Sequence, residues 1–159
     1  MDTRKLTRAA FVAAIYAALT LALAPISYSA IQVRVAEALT VLPFLSALSI
    51  PGLFVGCLVA NIFGTFFTGL GWYDVVFGSL ATLLAAWLTS KMPRPILAPL
   101  PPIIINGLVV GAYVSLLSNL PYWSTALYIG LGEAVAGYLL GYPLLLFLLK
   151  RPDLAARLK

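Results

Sequence analysis

No charged residue lies between Glu37 and Asp74, nor between Arg94 and Glu133. Apolar runs of that length decide the fold class. In lipid, every backbone N–H and C=O must be paired within a helix or a closed sheet. The runs lack the two-residue alternation of barrel strands and therefore read as helices. The chain is expected to be an all-α integral membrane protein, a single bundle of six transmembrane helices. Composition agrees: 62% of the 159 residues are hydrophobic and 9% charged, against about 25% charged in soluble domains.

Residues 1–159 are read as one domain, with 150–159 as a tail. The spans are expected at roughly residues 9–25, 37–49, 52–68, 75–90, 103–118 and 123–149. The second is short for a full crossing. Breaks fall at 49–52, at 69–74 with interfacial aromatics, and at 119–121. The proline-rich stretch 93–102 reads as a linker, since proline cannot continue a helix ladder. A basic head before an apolar run also describes a signal peptide, but the spans behind it favour a first membrane helix. The tail, with Asp153, Arg157 and Lys159, reads as a short amphipathic surface helix.

Orientation follows from the basic residues. All lysines and arginines except Arg34 sit in three places: the N-terminus, the Lys91–Arg94 loop, and the stretch after Leu149. Six spans put those three places on one side, which the positive-inside rule makes cytoplasmic. Both termini are therefore expected in the cytoplasm. The net charge of +5 does not indicate nucleic acid, because the positive groups sit at the ends of apolar spans.

Small residues recur at four-residue spacing. Gly52, Gly56, Ala60 and Gly64 form one ridge, Gly107 and Gly111 a second, and Gly137 and Gly141 a third. Such ridges let helices approach closely in lipid, and packing within the bundle is the simplest use for them. The first span differs. Ala9, Ala13 and Ala17 form one stripe and Ala10, Ala14 and Ala18 the adjacent one, a broad flat face that suits either the bundle or an external partner.

Away from the basic ends only Arg34, Glu37, Asp74 and Glu133 are charged. Each costs roughly 2.5–3.5 kcal/mol at mid-membrane on insertion scales, so such residues usually face a cavity or a partner. Two bland readings stand beside the functional one. Arg34 and Glu37 could form a local ion pair, and Asp74 could cap the fourth span. Glu133 lies about ten residues into the last span, ~15 Å from its outer end at 1.5 Å per residue. That is too deep to cap anything; protonation or an Asn or Tyr partner is its simpler fate. Together the four leave an excess of negative charge, which favours a cationic or donor-rich ligand. Trp72, Tyr73, Asn119, Tyr122, Trp123 and Tyr128 fall in the outer half. They suit either an interfacial belt or the walls of a site for a flat heteroaromatic ligand. Residues 27–35, with alternating Ile31, Val33 and Val35, could lie across the outer mouth.

Absences narrow the function. With no histidine, imidazole ligation and His-based catalysis are excluded; no metal cluster or nucleophile–base pair is visible, and no cofactor is expected. There is no phosphate-binding glycine loop, so the chain does not hydrolyse ATP. The single Cys57 cannot form an internal disulfide and reads as a small buried thiol.

The segments at residues 23–27 (LAPIS), 31–38 (IQVRVAEA), 74–82 (DVVFGSLAT), 98–102 (APLPP) and 130–133 (GLGE) resemble, in this order, the QueT family. These are substrate-binding S components of energy-coupling factor (ECF) importers. The resemblance covers nearly the whole chain; the combination carries it, not any one segment. It implies a six-helix bundle with an outer pocket, docked on a transmembrane coupling protein driven by two cytoplasmic ATPases. Docking in the family uses Ala-x-x-x-Ala on the first helix, best matched by Ala10 and Ala14, with Ala13, Ala17 and Ala18 widening the surface. The implied substrate is a queuosine precursor, the aminomethyl-deazaguanine base. One of Glu37, Asp74 and Glu133 would read its guanine edge and another its ammonium, while Arg34 would orient a carboxylate or meet the ring carbonyl. Delivery would follow by toppling of the loaded subunit in the membrane. The rivals are an S component for another flat vitamin such as riboflavin or thiamine, separable by ligand competition, and a stand-alone importer or channel, which would work in liposomes without ATPases. A small membrane enzyme or a purely structural protein fits the residues poorly.

Overall fold

The computed structural model describes residues 3–28, 33–151 and 153–155, and these are helical throughout apart from turns. Residues 29–32 of the expected flap, and Arg157 and Lys159 of the expected surface helix, lie outside the described residues.

Helix α1 spans Thr3–Ala22 and is followed by one helical turn, Ala24–Ser27, with proline in its first turn. Helix α2 is Val35–Phe44, wound as a 3-10 helix. Helix α3 is Ser49–Gly64. Helix α4, Asp74–Thr89, opens with a π-helical turn, Asp74–Gly78. A 3-10 turn at Pro95–Leu97 leads into α5, Leu100–Ser118. Helix α6 runs Tyr122–Leu149 with a π-helical stretch at Val135–Gly141. The expected proline linker is shorter than read from the sequence. Pro101 and Pro102 sit in the first turn of α5, where a missing N–H costs nothing.

Three helices are long and apolar enough to cross a membrane: Thr3–Ala22, Pro95–Ser118 and Tyr122–Leu149. The other three are shorter apolar helices. The surface is inverted relative to a water-soluble domain. Phe66, Trp72, Leu116, Leu139 and Phe147 face outward, while Arg34, Glu37, Asp74 and Glu133 are buried. An apolar exterior around a charged interior is what lipid demands.

Helix α2 is the hub. It touches α1, α3, α4 and α6, and seven of its ten residues are buried, as expected of a helix apolar on every face. Around it, α1 packs on α3, α3 on α4, α4 on α5 and α5 on α6. A 3-10 run of ten residues is unusually long, and it carries Glu37. Asp74 opens one π-helical segment, and Glu133 stands two residues before the other. All three acidic residues thus lie beside non-α backbone, the kind of local departure that concentrates at functional sites.

The glycine ridges serve internal packing. A Cβ at Gly52 would stand 2.5 Å from the Ala9 carbonyl oxygen, and one at Gly56 2.8 Å from that of Ala13. Gly111 meets the Ala126 backbone in the same way across α5 and α6. Gly56→Leu is therefore expected to destabilise the fold by about 1–3 kcal/mol, read as a lower melting temperature in detergent. Gly69→Ala, where a Cβ meets nothing within 4 Å, should be neutral.

Candidate functional site

The chain reverses between α3 and α4 through a turn in which Gly71 adopts φ +53, a left-handed conformation open to glycine. That turn delivers Asp74 to the start of α4 and into the interior. Asp74 caps no helix, and the expected capping role is corrected. Its carboxylate pairs with Arg34, Nη2 to Oδ2 at 3.1 Å, and accepts the Tyr113 hydroxyl at 2.5 Å on Oδ1. The pairing of Arg34 with Glu37 is corrected with it: among the described residues the ion pair of Arg34 is with Asp74. Residue Arg34 is extended (φ −86, ψ 102) just before α2, so its side chain reaches across to α3 and α4 instead of along its own helix.

Asn61 of α3 completes this first cluster. Its side-chain oxygen accepts from Arg34 Nη1 at 3.1 Å, and its amide nitrogen donates to the Asp74 carbonyl at 2.9 Å. The guanidinium lies 5.3 Å from the Tyr28 ring centroid, a cation–π contact. Asp74 and Arg34 neutralise each other, with buried donors around them. The pair contributes no net charge, so the excess negative charge counted in the sequence falls on Glu37 and Glu133.

The second cluster holds the other two carboxylates. Glu37 Oε1 accepts the hydroxyl of Tyr16, a fully buried residue of α1. Glu133 Oε1 accepts the Asn106 side-chain amide at 2.8 Å. Helix α2, which carries Glu37, packs on the π-helical stretch of α6 that begins two residues after Glu133. The remaining oxygens, Glu37 Oε2 and Glu133 Oε2, are buried and have no hydrogen-bond partner among the described residues; Asn106 Oδ1 and Arg34 Nε are in the same condition. Orphaned buried polar atoms are costly and call for a specific reason. Three such oxygens and one such N–H in one interior are unmet hydrogen-bonding capacity of the kind a polar ligand would satisfy.

An open cleft of about 480 Å³ lies at the end of the bundle where α3 turns into α4 and α5 into α6. It is lined by Tyr28, Phe67, Thr68, Leu70, Ser118 and Tyr128, among others. Tyr28 connects cleft and charges: its ring stacks on Phe67 at 6.2 Å and also meets Arg34. Of the aromatic residues expected at the site, Tyr128 lines this cleft. Trp72, Tyr73 and Trp123 are exposed at the surface, Trp123 bordering a groove between α5 and α6. Asn119 is exposed too, and ends α5 in the left-handed conformation (φ 54). None of these four joins the buried clusters.

Sequence reading missed Tyr16, Asn61, Asn106 and Tyr113. The available signal was an amide or hydroxyl inside an apolar span, which in lipid must find a partner. Cys57 is a buried free thiol that accepts from Asn61 and Thr82.

The alanine face of α1 divides in two. Ala9 and Ala13 meet α3 at Gly52 and Gly56, whereas Ala10, Ala14 and Ala18 are exposed. Beside them an apolar groove of about 390 Å³ is lined by Leu6, Ala10, Ala13, Pro51 and Val55.

A family model described as QueT transporter matches residues 6–150. The queuosine precursor transporter QueT of Lactococcus lactis subsp. cremoris is 39% identical over 77 residues, which cover 47% of this chain and 43% of that protein. The match therefore spans less than half the length of that relative. No solved structure matches the chain.

Proposed function

This chain belongs to the QueT transporter family, and on that premise we propose that it is the substrate-binding S component of an ECF importer, taking up a queuosine precursor. The chain is a multi-pass protein of the cell membrane. In the proposal its six helices all cross, both termini are cytoplasmic, and the cleft beside Tyr28 opens outward. The grouping of Lys and Arg at the N-terminus, the Lys91–Arg94 loop and the C-terminal end supports that orientation.

The observation that carries the substrate is the pair of buried carboxylates, Glu37 and Glu133, each with one oxygen held by a neutral donor and the other without a partner among the described residues. The aminomethyl-deazaguanine base offers an ammonium, a ring N–H, an exocyclic amine and a carbonyl. Glu37 and Glu133 would take the ammonium and the guanine edge, and Arg34 Nε would donate to the ring carbonyl. Asp74, held by Arg34 and Tyr113, would position Arg34 and leave the direct contacts to the glutamates. Tyr128 and Tyr28 at the cleft would provide flat walls; Trp72, Tyr73, Trp123 and Asn119 would sit in the outer interface.

Uptake needs partners. The exposed stripe of Ala10, Ala14 and Ala18, widened by the groove at Ala13 and with Ala17 beside it, would dock on the transmembrane coupling protein. Two cytoplasmic ATPases would supply the energy, and the docked subunit would topple to release its substrate inward.

Calorimetry on the purified protein in detergent tests the substrate. The aminomethyl-deazaguanine base is expected to bind selectively over riboflavin and thiamine. Glu133→Gln should weaken it on the order of 10- to 100-fold, the worth of one charge-assisted hydrogen bond. Heat from riboflavin or thiamine and none from the deazaguanine base would discard this substrate.

A further inference from the structure

We propose that Asn106 is a specificity-determining residue: its Oδ1, together with Glu133 Oε2, selects ligands that carry an exocyclic amine beside a ring N–H. This rests on the reading of the interior as the binding site for a small base.

Asn106 on α5 and Glu133 on α6 are both buried. Their mutual hydrogen bond fixes which way the amide faces. In that bond the Asn106 nitrogen donates and Glu133 Oε1 accepts, at 2.8 Å. The amide oxygen is left over as an acceptor, and it is buried without a partner among the described residues, as is Glu133 Oε2. The pair thus presents two orphaned acceptors on side chains tied to each other.

Among the described residues no donor meets this demand. The Tyr16 hydroxyl donates to Glu37, and the Thr40 hydroxyl donates to the Glu37 carbonyl at 2.6 Å. Beside Asn106 the two helices approach through glycines: a Cβ at Gly107 would stand 3.5 Å from the Gly130 Cα. No side chain from either glycine can offer a donor there. A ligand that reaches these two oxygens must satisfy both or leave one buried and bare.

A carboxylate by itself binds any cation. A carboxylate oxygen and an amide oxygen on side chains bonded to each other would discriminate further, because together they call for two N–H groups. The edge of a 2-amino-pyrimidinone ring has them: the ring N–H and the adjacent amine. An analogue without the amine leaves an acceptor desolvated and unpaired, the situation in which binding sites reject a near-isostere most strongly.

The test uses the full chain in detergent and two probes, the aminomethyl-deazaguanine base and its analogue lacking the exocyclic amine. Wild type is expected to prefer the amine-bearing base by about 100-fold. In Asn106→Leu that preference should fall at least tenfold, the amine-bearing base losing more affinity than its analogue. If Asn106 only props Glu133, both affinities fall by the same factor, the ratio stays, and the proposal is overturned. Equal binding of the two probes by wild type overturns it without any variant, while leaving the site reading intact. Binding of neither probe removes the site reading, and the proposal with it.

Discussion

Asp74→Ala is expected to destabilise the protein by about 3–5 kcal/mol, the cost of stranding a buried charge. Its partner Arg34 is buried to the same degree as the rest of the interior and makes its one ion pair, among the described residues, with Asp74. Removing the carboxylate also orphans the Tyr113 hydroxyl, which donates to it. Thermal unfolding in detergent reads the loss directly. The double variant Arg34→Met, Asp74→Leu should recover most of it, since replacing a buried pair by apolar groups of similar volume is often neutral or stabilising. A melting temperature unchanged in Asp74→Ala would mean that Arg34 is neutralised elsewhere, and the first cluster would have to be redrawn.

Ala14→Trp is expected to abolish uptake of the labelled deazaguanine base by cells that hold the coupling protein and ATPases. Its affinity for that base in detergent should be unchanged. The separation follows from the geometry of α1. Ala14 is exposed, whereas Tyr16, two residues on, is buried and donates to Glu37. A bulky ring at position 14 therefore extends away from the interior and holds off any helix that would approach the alanine stripe. Lost binding would show that the stripe belongs to the fold; normal uptake would remove the docking assignment.

The two variants probe opposite sides of one helix arrangement, and that arrangement was only partly legible in the sequence. The helical segments were, because unbroken apolar runs permit little else in lipid. The proline stretch misled at its C-terminal end, where Pro101 and Pro102 begin a helix instead of preventing one. Arg34, Glu37, Asp74 and Glu133 could be singled out because charge between apolar spans is rare and costly. Their partners could not. Spacing suggested Arg34 with Glu37, three residues apart, and the extended backbone at Arg34 sent its side chain to another helix.

What the sequence by itself determined is the solvent, the class of fold and the residues that had to be hidden. Those follow from hydropathy and charge, which are properties of each residue in its own segment. The tertiary structure decided which carboxylate is neutralised and which is left with a free oxygen. It also decided which alanine stripe is consumed by packing and which stays exposed. Those are properties of neighbours brought together from distant segments: Asp74 faces Arg34 and Tyr113, Glu133 faces Asn106, and Ala13 meets Gly56. A buried group's partner is chosen by helix packing in three dimensions, and that choice separated the acid paired with arginine from the two that keep one oxygen without a partner among the described residues.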